Sequence, residues 1–314
     1  MTPQLSDLFQ LGVAAEHRGI VVAPLFPRND PVADYLTLDE ALGRGLTIKE
    51  VDESGSVPEL IVENPLDERV LLYDGEELVG AKQNRILNVS VLVEAGSKLT
   101  IPVSCVEQGR WSSVSARFSA GGHISHHDLR RRKAEAQAAR PMARGVAQGV
   151  VWGELHERIT SMSVDSPTGA SGDLYRSRAK ELQALADAFP AQPGQCGAFL
   201  GLEDTFCVDI VSRPDAFARL WPKLRAGYML DALSRLDGKP TPEAAIPMHL
   251  RWVDDAERSK QPSVGLGEDV RLRGEHVIGS GLEFDGELVQ LSAFSSEDGG
   301  RRAFGRIARP SARR

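Results

Sequence analysis

Between Asp74 and Trp111 the chain reads DGEELVGAKQNRILNVSVLVEAGSKLTIPVSCVEQGRW, with side chains able to do chemistry set inside runs that favour β-strand. Glu76 and Glu77 are adjacent carboxylates, Lys82, Gln83, Asn84 and Arg85 form a block of donors, and Cys105, Glu107, Arg110 and Trp111 close the stretch. Polar groups among strands are solvated, paired or used, because an unpartnered polar group out of water is costly. A carboxyl held out of water titrates closer to neutrality, so Glu76, Glu77 and Glu107 are candidates for general acid or base, with Glu77 and Glu107 as the catalytic pair. Lys82, Arg85 and Arg110 suit an anionic group such as phosphate, Gln83 and Asn84 suit an amide-bearing one, and Trp111 suits stacking on a planar ring. The competing reading is a charged edge that keeps strands from pairing with a second molecule.

The elements around these residues predict how they meet. LNVSVLV and LTIPVSCV, joined by EAGSK, predict an antiparallel hairpin of Ile86 to Val93 against Leu99 to Val106. Pairing Val93 with Leu99 sets Leu87 opposite Cys105 and Arg85 opposite Glu107, which brings KQNR and EQGRW together at the open end. Alternation puts Leu87, Val89, Val91 and Val93 on one face and Asn88 and Ser90 on the other. On this reading ligand binding depends on Arg85 and Glu107.

The whole chain reads as α+β: an antiparallel β-rich N-terminal half, a helical middle and a C-terminal α/β closing region. The ranges are 1–120 for the β-rich region, 121–194 for the helical region, 195–296 for the closing region of the same compact unit, and 297–314 for a disordered basic tail. Thr37 and Glu40 form a capping box for a brief helix ending near Gly43 or Gly45. Asp74-Gly75 and Asp285-Gly286 are hairpin signals of the type that needs two residues at positive φ. SMSVDSPTGASG, from Ser161 to Gly172, is a loop long enough, and small enough in its side chains, to be mobile or to cover a site.

Other constellations carry less. His123, His126 and His127 beside Asp128 would make a metal site only with a further ligand folded close by; helix capping by Ser125 or Asp128 is preferred, and no metal or cofactor is expected. Arg130, Arg131, Arg132 and Lys133 read as a solvated or salt-bridged helix face before a phosphate clamp. Cys105 lacks a nearby histidine base and reads as a buried thiol. Gly265 and Gly267 mark turns, while Glu268, Asp269, Arg271 and Arg273 are candidates to extend the Arg85 patch.

Composition bounds the rest. A 314-residue chain, 41% hydrophobic and 26% charged, buries a sizeable core, and a net charge of -7 argues against nucleic acid as a partner. No run approaches the ~18 to 20 apolar residues of a membrane span, and MTPQLSDLFQ lacks a signal-peptide pattern, so a cytoplasmic location is expected. Cys105, Cys196 and Cys207 have no metal-ligand spacing and are expected reduced and apart.

GEELVGAKQNR and IPVSCVEQGRW, with LWPKLRAGYMLDAL and GSGLEFDGELVQLSAF, resemble the ARG and rhodanese-phosphatase-superfamily-associated protein domain, a mostly prokaryotic family. The resemblance runs from about Gly12 to Phe294 and implies a neighbourhood in NAD and ADP-ribose metabolism, without implying a reaction. Two functional classes follow. In one, the chain binds or processes ADP-ribose or another NAD-derived small molecule. In the other it is a non-catalytic adaptor docking onto a partner enzyme such as an ADP-ribosylglycohydrolase, with Glu77, Arg85 and Glu107 as a structural ion network. A metal-dependent hydrolase using the histidines stands behind both.

Overall fold

A computed structural model describes residues 4–31, 33–52, 58–139 and 148–296. Helix α1 (Leu5–Leu8) leads into strands β1 (Phe9–Leu11), β2 (Ala15–His17) and β3 (Ile20–Pro27). Strand β4 (Leu36–Thr37) and helix α2 (Leu38–Arg44) precede β5 (Thr47–Glu50), β6 (Glu59–Asn64), β7 (Val70–Leu72) and β8 (Glu76–Gly80). Next are β9 (Arg85–Leu87), β10 (Val91–Val93), β11 (Ser97–Cys105) and β12 (Phe118–Ile124). The helical stretch holds α3 (His127–Ala138), α4 (Gln148–Ser161), α5 (Ser171–Ser177) and α6 (Ala179–Ala186). Strands β13 (Gly197–Leu202) and β14 (Thr205–Val211) precede helices α7 (Pro214–Ala232) and α8 (Ile246–Asp254). Four strands close the chain: β15 (Glu257–Pro262), β16 (Glu268–Arg273), β17 (Val277–Phe284) and β18 (Glu287–Ser295). The class is α+β, and among the described strands only β4 with β7 pairs in parallel. The tail at 297–314 lies outside the described residues. No helix among the described residues is long and apolar enough to cross a membrane.

Local signals determine several elements. Glu40 Oε2 accepts from the Thr37 amide at 3.0 Å and the Thr37 hydroxyl at 2.9 Å, opening α2, which Gly45 closes at φ 117. Asp285 and Gly286 stand at φ 53 and 80, the two left-handed positions that turn β17 into β18.

The strands form three sheets. The largest runs β1-β3-β13-β14-β18-β17-β16-β15, with β2 also on β3, so N-terminal strands join the closing strands. Strand β3 divides its side chains by period two: Ile20 and Val22 enter the core shared with the helices, and Val21, Ala23 and Leu25 enter the core on the other face. A second sheet runs β12-β8-β9-β11-β6-β5, and β10-β7-β4 is the third. Helix α7 packs on β12, β13 and β14, which ties the first two sheets together.

Two expectations need correction. Asp74-Gly75 does not close a hairpin, since β7 and β8 belong to different sheets. Only Gly75 has positive φ, 82°, and the Glu76 amide donates to Tyr73 O at 3.1 Å, the pattern of a type II turn that redirects the chain between sheets. The hairpin of 86–93 against 99–106 forms over its open end alone. Leu87 pairs with Val103 and Arg85 with Cys105, two residues out of the expected register, so Arg85 is not opposite Glu107. Strand β10 leaves to pair with β7. Polar groups explain the departure: Asn88 Oδ1 accepts from the Ser104 hydroxyl, Asn88 O from Gln137, and Ser90 Oγ from the Asp74 amide. The expected faces survive, with Leu87, Val89, Val91 and Val93 in one core and Ile86 and Leu92 in another.

The basic block of α3 is salt-bridged, as one of its two expected readings had it, but Arg130 and Lys133 are buried and not solvated. Lys133 is buried and donates to Asp74 at 2.6 Å and to Leu87 O at 2.7 Å. Arg130, 1% exposed, forks onto Asp209 through Nη1 at 2.8 Å and Nη2 at 2.6 Å. Asp209, buried in β14, also accepts from the hydroxyls of Tyr73, Tyr228 and Ser292, each at 2.7 Å. Burial would raise the Asp209 carboxyl, but Arg130 and the hydroxyls overcome it and hold it down at about 2.

Removing the guanidinium strands a buried anion, so Arg130→Ala should destabilise the fold by ~3 to 5 kcal/mol, read by urea unfolding with an unchanged slope. Because Asp209 sits below its unfolded value of 3.8, its stabilisation is complete above that value and is lost as pH falls toward about 2. Asp209→Asn should flatten the fall in stability over this window. An equally steep acid transition in that variant would assign the acid sensitivity to other carboxylates.

Candidate functional site

A cleft of about 500 Å³ opens where β8 and β12 meet α5, α6 and α7, and Glu77, His123, Tyr175, Arg176, Leu182 and Arg225 are among its walls. The local sequence builds it. Strands β8 and β12 pair regularly from Gly80 with Phe118 to Leu78 with Ala120, then the register slips before Glu76 meets Ile124. The slip is GGH. A Cβ on Gly121 would stand 2.6 Å from Glu77 Oε2 and 2.7 Å from Glu77 Cβ, so only glycine lets β12 pass the carboxyl this closely.

Glu77 is 4% exposed, its Oε1 has no hydrogen-bond partner, and its Oε2 lies 3.5 Å from His123 Nδ1. Burial pushes this carboxyl up to about 7; Arg176 pulls it down, while Glu107 and Asp173 add to the rise. His123 stacks on Tyr175 with ring centroids 3.6 Å apart, and its Nε2 lies 3.5 Å from Ser171 Oγ. Burial drives the imidazole down to about 3, with His126, Lys223 and Arg176 opposing a further positive charge, so His123 is neutral at physiological pH. Two guanidinium groups flank the cleft. Arg176 pairs with Asp173 on the exposed side, and Arg225 Nη1 donates to the carbonyls of Ala186 at 2.8 Å and Phe189 at 3.1 Å. Arg225 Nε has no hydrogen-bond partner. A carboxyl poised near neutrality, a neutral imidazole, two cations and apolar walls from Val79, Ala179 and Leu182 equip this cleft for proton transfer on a small anionic ligand.

The residues singled out from sequence divide between this cleft and two other places. Glu77 lines the cleft. Glu76 points the other way, taking the Tyr73 amide at 3.0 Å and Lys223 at 3.1 Å. Cross-strand pairing of Leu78 with Arg85 and of Glu77 with Ile86 puts Arg85 on the face opposite Glu77. Glu107 is held by the Asn84 amide at 3.2 Å, Arg110 Nε at 2.8 Å and Thr168 Oγ1 at 3.2 Å. Arg110 also ties down Ala81 O, Ser112 O and Asn84 Oδ1. Gln83 accepts from Arg85 Nη1 at 3.0 Å. Lys82 and Arg85 stand 5.6 and 5.8 Å from the ring centre of Trp111, which is 50% exposed. Lys82, Gln83, Asn84, Arg85, Glu107, Arg110 and Trp111 thus gather around one loop, outside the cleft walls. The Arg271 string does not extend them, since Arg271 donates to Gln137 at 3.0 Å.

The loop after α4 does cover this region. Thr168 accepts from the Gly109 amide at 2.7 Å, and Ser171 donates its amide to Val106 O at 2.8 Å. The histidines diverge: His126 meets Glu154 at 3.1 Å, and His127 lies between Asp128 at 3.2 Å and Phe206 O at 3.3 Å. Among the described residues no cluster of three or more His, Cys, Asp or Glu is placed to hold a metal ion. The three cysteines are free and buried. Sequence reasoning passed over Ser171, Tyr175, Arg176 and Arg225 and weighed His123 as a metal ligand; the GGH string was the one local sign that β12 bends beside a bulky neighbour.

A family model described as ARG and Rhodanese-Phosphatase-superfamily-associated Protein domain matches residues 9–294. No curated protein and no solved structure matches the chain.

The Glu77 carboxyl carries a stability signature. Its folded value, about 7, lies above the ordinary 4.5, so the folded protein holds the proton more tightly and loses stability as pH rises from 4.5 toward 7. Glu77→Gln, neutral at every pH, should exceed the parent by only about 1 kcal/mol at pH 5 and by up to about 3 kcal/mol above pH 7. Melting temperatures of both proteins from pH 5 to 9 test this. Parallel curves would show that Glu77 ionises without strain.

Proposed function

The chain belongs to the ARG and Rhodanese-Phosphatase-superfamily-associated Protein domain family, and from that premise we propose that its cleft binds or processes ADP-ribose or another NAD-derived metabolite. The family description associates these domains by name with ADP-ribosylglycohydrolases, which supports that ligand class. The observation that carries the reading is Glu77: a buried carboxyl in the wall of a cleft of about 500 Å³, pushed up to about 7, with one buried oxygen unpartnered. That volume lies within the roughly 300–1,000 Å³ usual for small-molecule sites. In this reading Arg176 and Arg225 receive the diphosphate, the apolar wall takes an adenine or nicotinamide face, and Glu77 gives or takes the proton.

Adaptor function is the second reading, favoured by a separate observation. Trp111 and Val114 are 50% and 66% exposed on the loop that Arg110 and Ser115 pin in place. A rigidly presented tryptophan flanked by Lys82 and Arg85 fits the centre of a protein interface. The partner would be an enzyme of the same metabolism.

Thermal shift with ADP-ribose, NAD, nicotinamide and inorganic phosphate decides between them. Selective binding at one hundred times Kd should stabilise the fold by about 2.7 kcal/mol. Arg225→Ala should weaken that ligand about 10- to 100-fold, as expected for a lost charged hydrogen bond, and Trp111→Ala should leave it unchanged. Absence of a shift with all four compounds, together with loss of partner capture in Trp111→Ala, would favour the adaptor.

A further inference from the structure

We propose that Ser171 and His123 are positioning residues for the Glu77 carboxyl, with His123 remaining neutral and exchanging its tautomer when Glu77 gains or loses its proton. The proposal rests on Glu77 being the acid–base group of the cleft. The three side chains lie in sequence: Glu77 Oε2 is 3.5 Å from His123 Nδ1, and His123 Nε2 is 3.5 Å from Ser171 Oγ. The imidazole has no freedom to look elsewhere, because Tyr175 covers one face at 3.6 Å and the Tyr175 hydroxyl is itself engaged on Ile124 O. Glu77 is equally confined by the close pass of Gly121.

Each protonation state of Glu77 then selects one arrangement. A protonated carboxyl donates through Oε2 to an unprotonated Nδ1, so the imidazole proton is on Nε2 and donates to Ser171 Oγ. A carboxylate accepts from Nδ1–H, and the bare Nε2 accepts from the Ser171 hydroxyl. The serine hydroxyl serves as acceptor or donor by rotation, which no aliphatic residue does. The interconversion releases one proton: Glu77–COOH with the Nε2–H imidazole becomes Glu77–COO⁻ with the Nδ1–H imidazole, and the pair gains one negative charge. Glu77 Oε1 is buried and has no hydrogen-bond partner, so neither state depends on it.

The charged surroundings favour this route over an imidazolium. Arg176 from α5 and Lys223 from α7 oppose a cation on His123, as does His126 beyond the end of β12, itself held by Glu154. Glu107 and Asp173 oppose a carboxylate on Glu77, while Arg176 favours one. Arg225 stands across the cleft. With burial added, the imidazole is held down near 3 and the carboxyl up near 7, so the proton the pair loses around pH 7 comes from Glu77 and not from an imidazolium.

The test uses the full, ligand-free chain labelled with ¹⁵N-histidine, and reads the imidazole nitrogen shifts from pH 5 to 9. His123 should be neutral throughout, Nε2-protonated at pH 5 and Nδ1-protonated at pH 9, with a midpoint near 7. Glu77→Gln should abolish the pH-dependent exchange, which also identifies the resonance if His123→Gln does not fold. A single tautomer across the range, or an imidazolium signal at pH 5, overturns the proposal. The readout needs no ligand, so a thermal-shift screen without a hit would sink the metabolite reading and leave this result standing.

Discussion

The Asp209 carboxylate is the constraint around which the rest is arranged. A charge with no exposure to water is tolerable only if cations and donors replace its hydration, and here they come from four separate parts of the chain. Arg130 arrives on α3, Tyr228 on α7, Ser292 on the neighbouring strand β18, and Tyr73 from the turn that leaves β7. None of these contacts is local in sequence. Their joint requirement fixes α3 and α7 over the large sheet and fixes Tyr73 against it.

From Tyr73 the constraint passes directly to the cleft. The Tyr73 amide is taken by Glu76, Glu76 is paired with Lys223 of α7, and Asp74 is paired with Lys133 of α3. The first residues of β8 are therefore clamped by the same two helices that converge on Asp209. Glu77 follows with its side chain on the opposite face from Glu76, facing the cleft. Two buried carboxyls a few residues of framework apart thus meet opposite fates: Asp209 is saturated with donors and held near 2, and Glu77 is left with an unpartnered oxygen and rises to about 7. The first arrangement stabilises the fold. The second costs stability at neutral pH, the usual mark of a group kept for chemistry.

What was legible in the sequence was what local rules determine. The Thr37 capping box, the Asp285-Gly286 hairpin and the two-residue alternation through Leu87, Val89, Val91 and Val93 each depend on neighbours a few positions away. Asp74-Gly75 shows the limit of such signals, since a turn dipeptide specifies a change of direction and not which sheet receives the next strand. The hairpin register slipped for a related reason: Asn88 and Ser90 found better partners in Ser104 and Asp74 than the extended ladder offered. For Arg130 and Lys133 a solvated and a salt-bridged face were equally legible, because the counter-charges that decide for the second are 79 and 59 residues away. Of the cleft walls, Glu77 stands in a stretch whose residue types drew notice in the sequence, whereas Tyr175, Arg176 and Arg225 lie on helices whose composition is ordinary and whose approach to β8 is purely tertiary.

Glu107 has a structural role that can be read from its contacts. Its oxygens hold the Asn84 amide, Arg110 and Thr168, so it fastens the Trp111 loop and the segment leading to Ser171 to the end of β11. One strap thereby supports both surfaces. On one side it presents Trp111 with Lys82 and Arg85 beside it, and on the other it sets Ser171 behind His123. The charge of Glu107 reaches Glu77 as well, adding to the rise of that carboxyl. The cleft and the Trp111 loop are accordingly coupled in structural terms, because the carboxylate that orders the loop also adds to the rise of the Glu77 carboxyl.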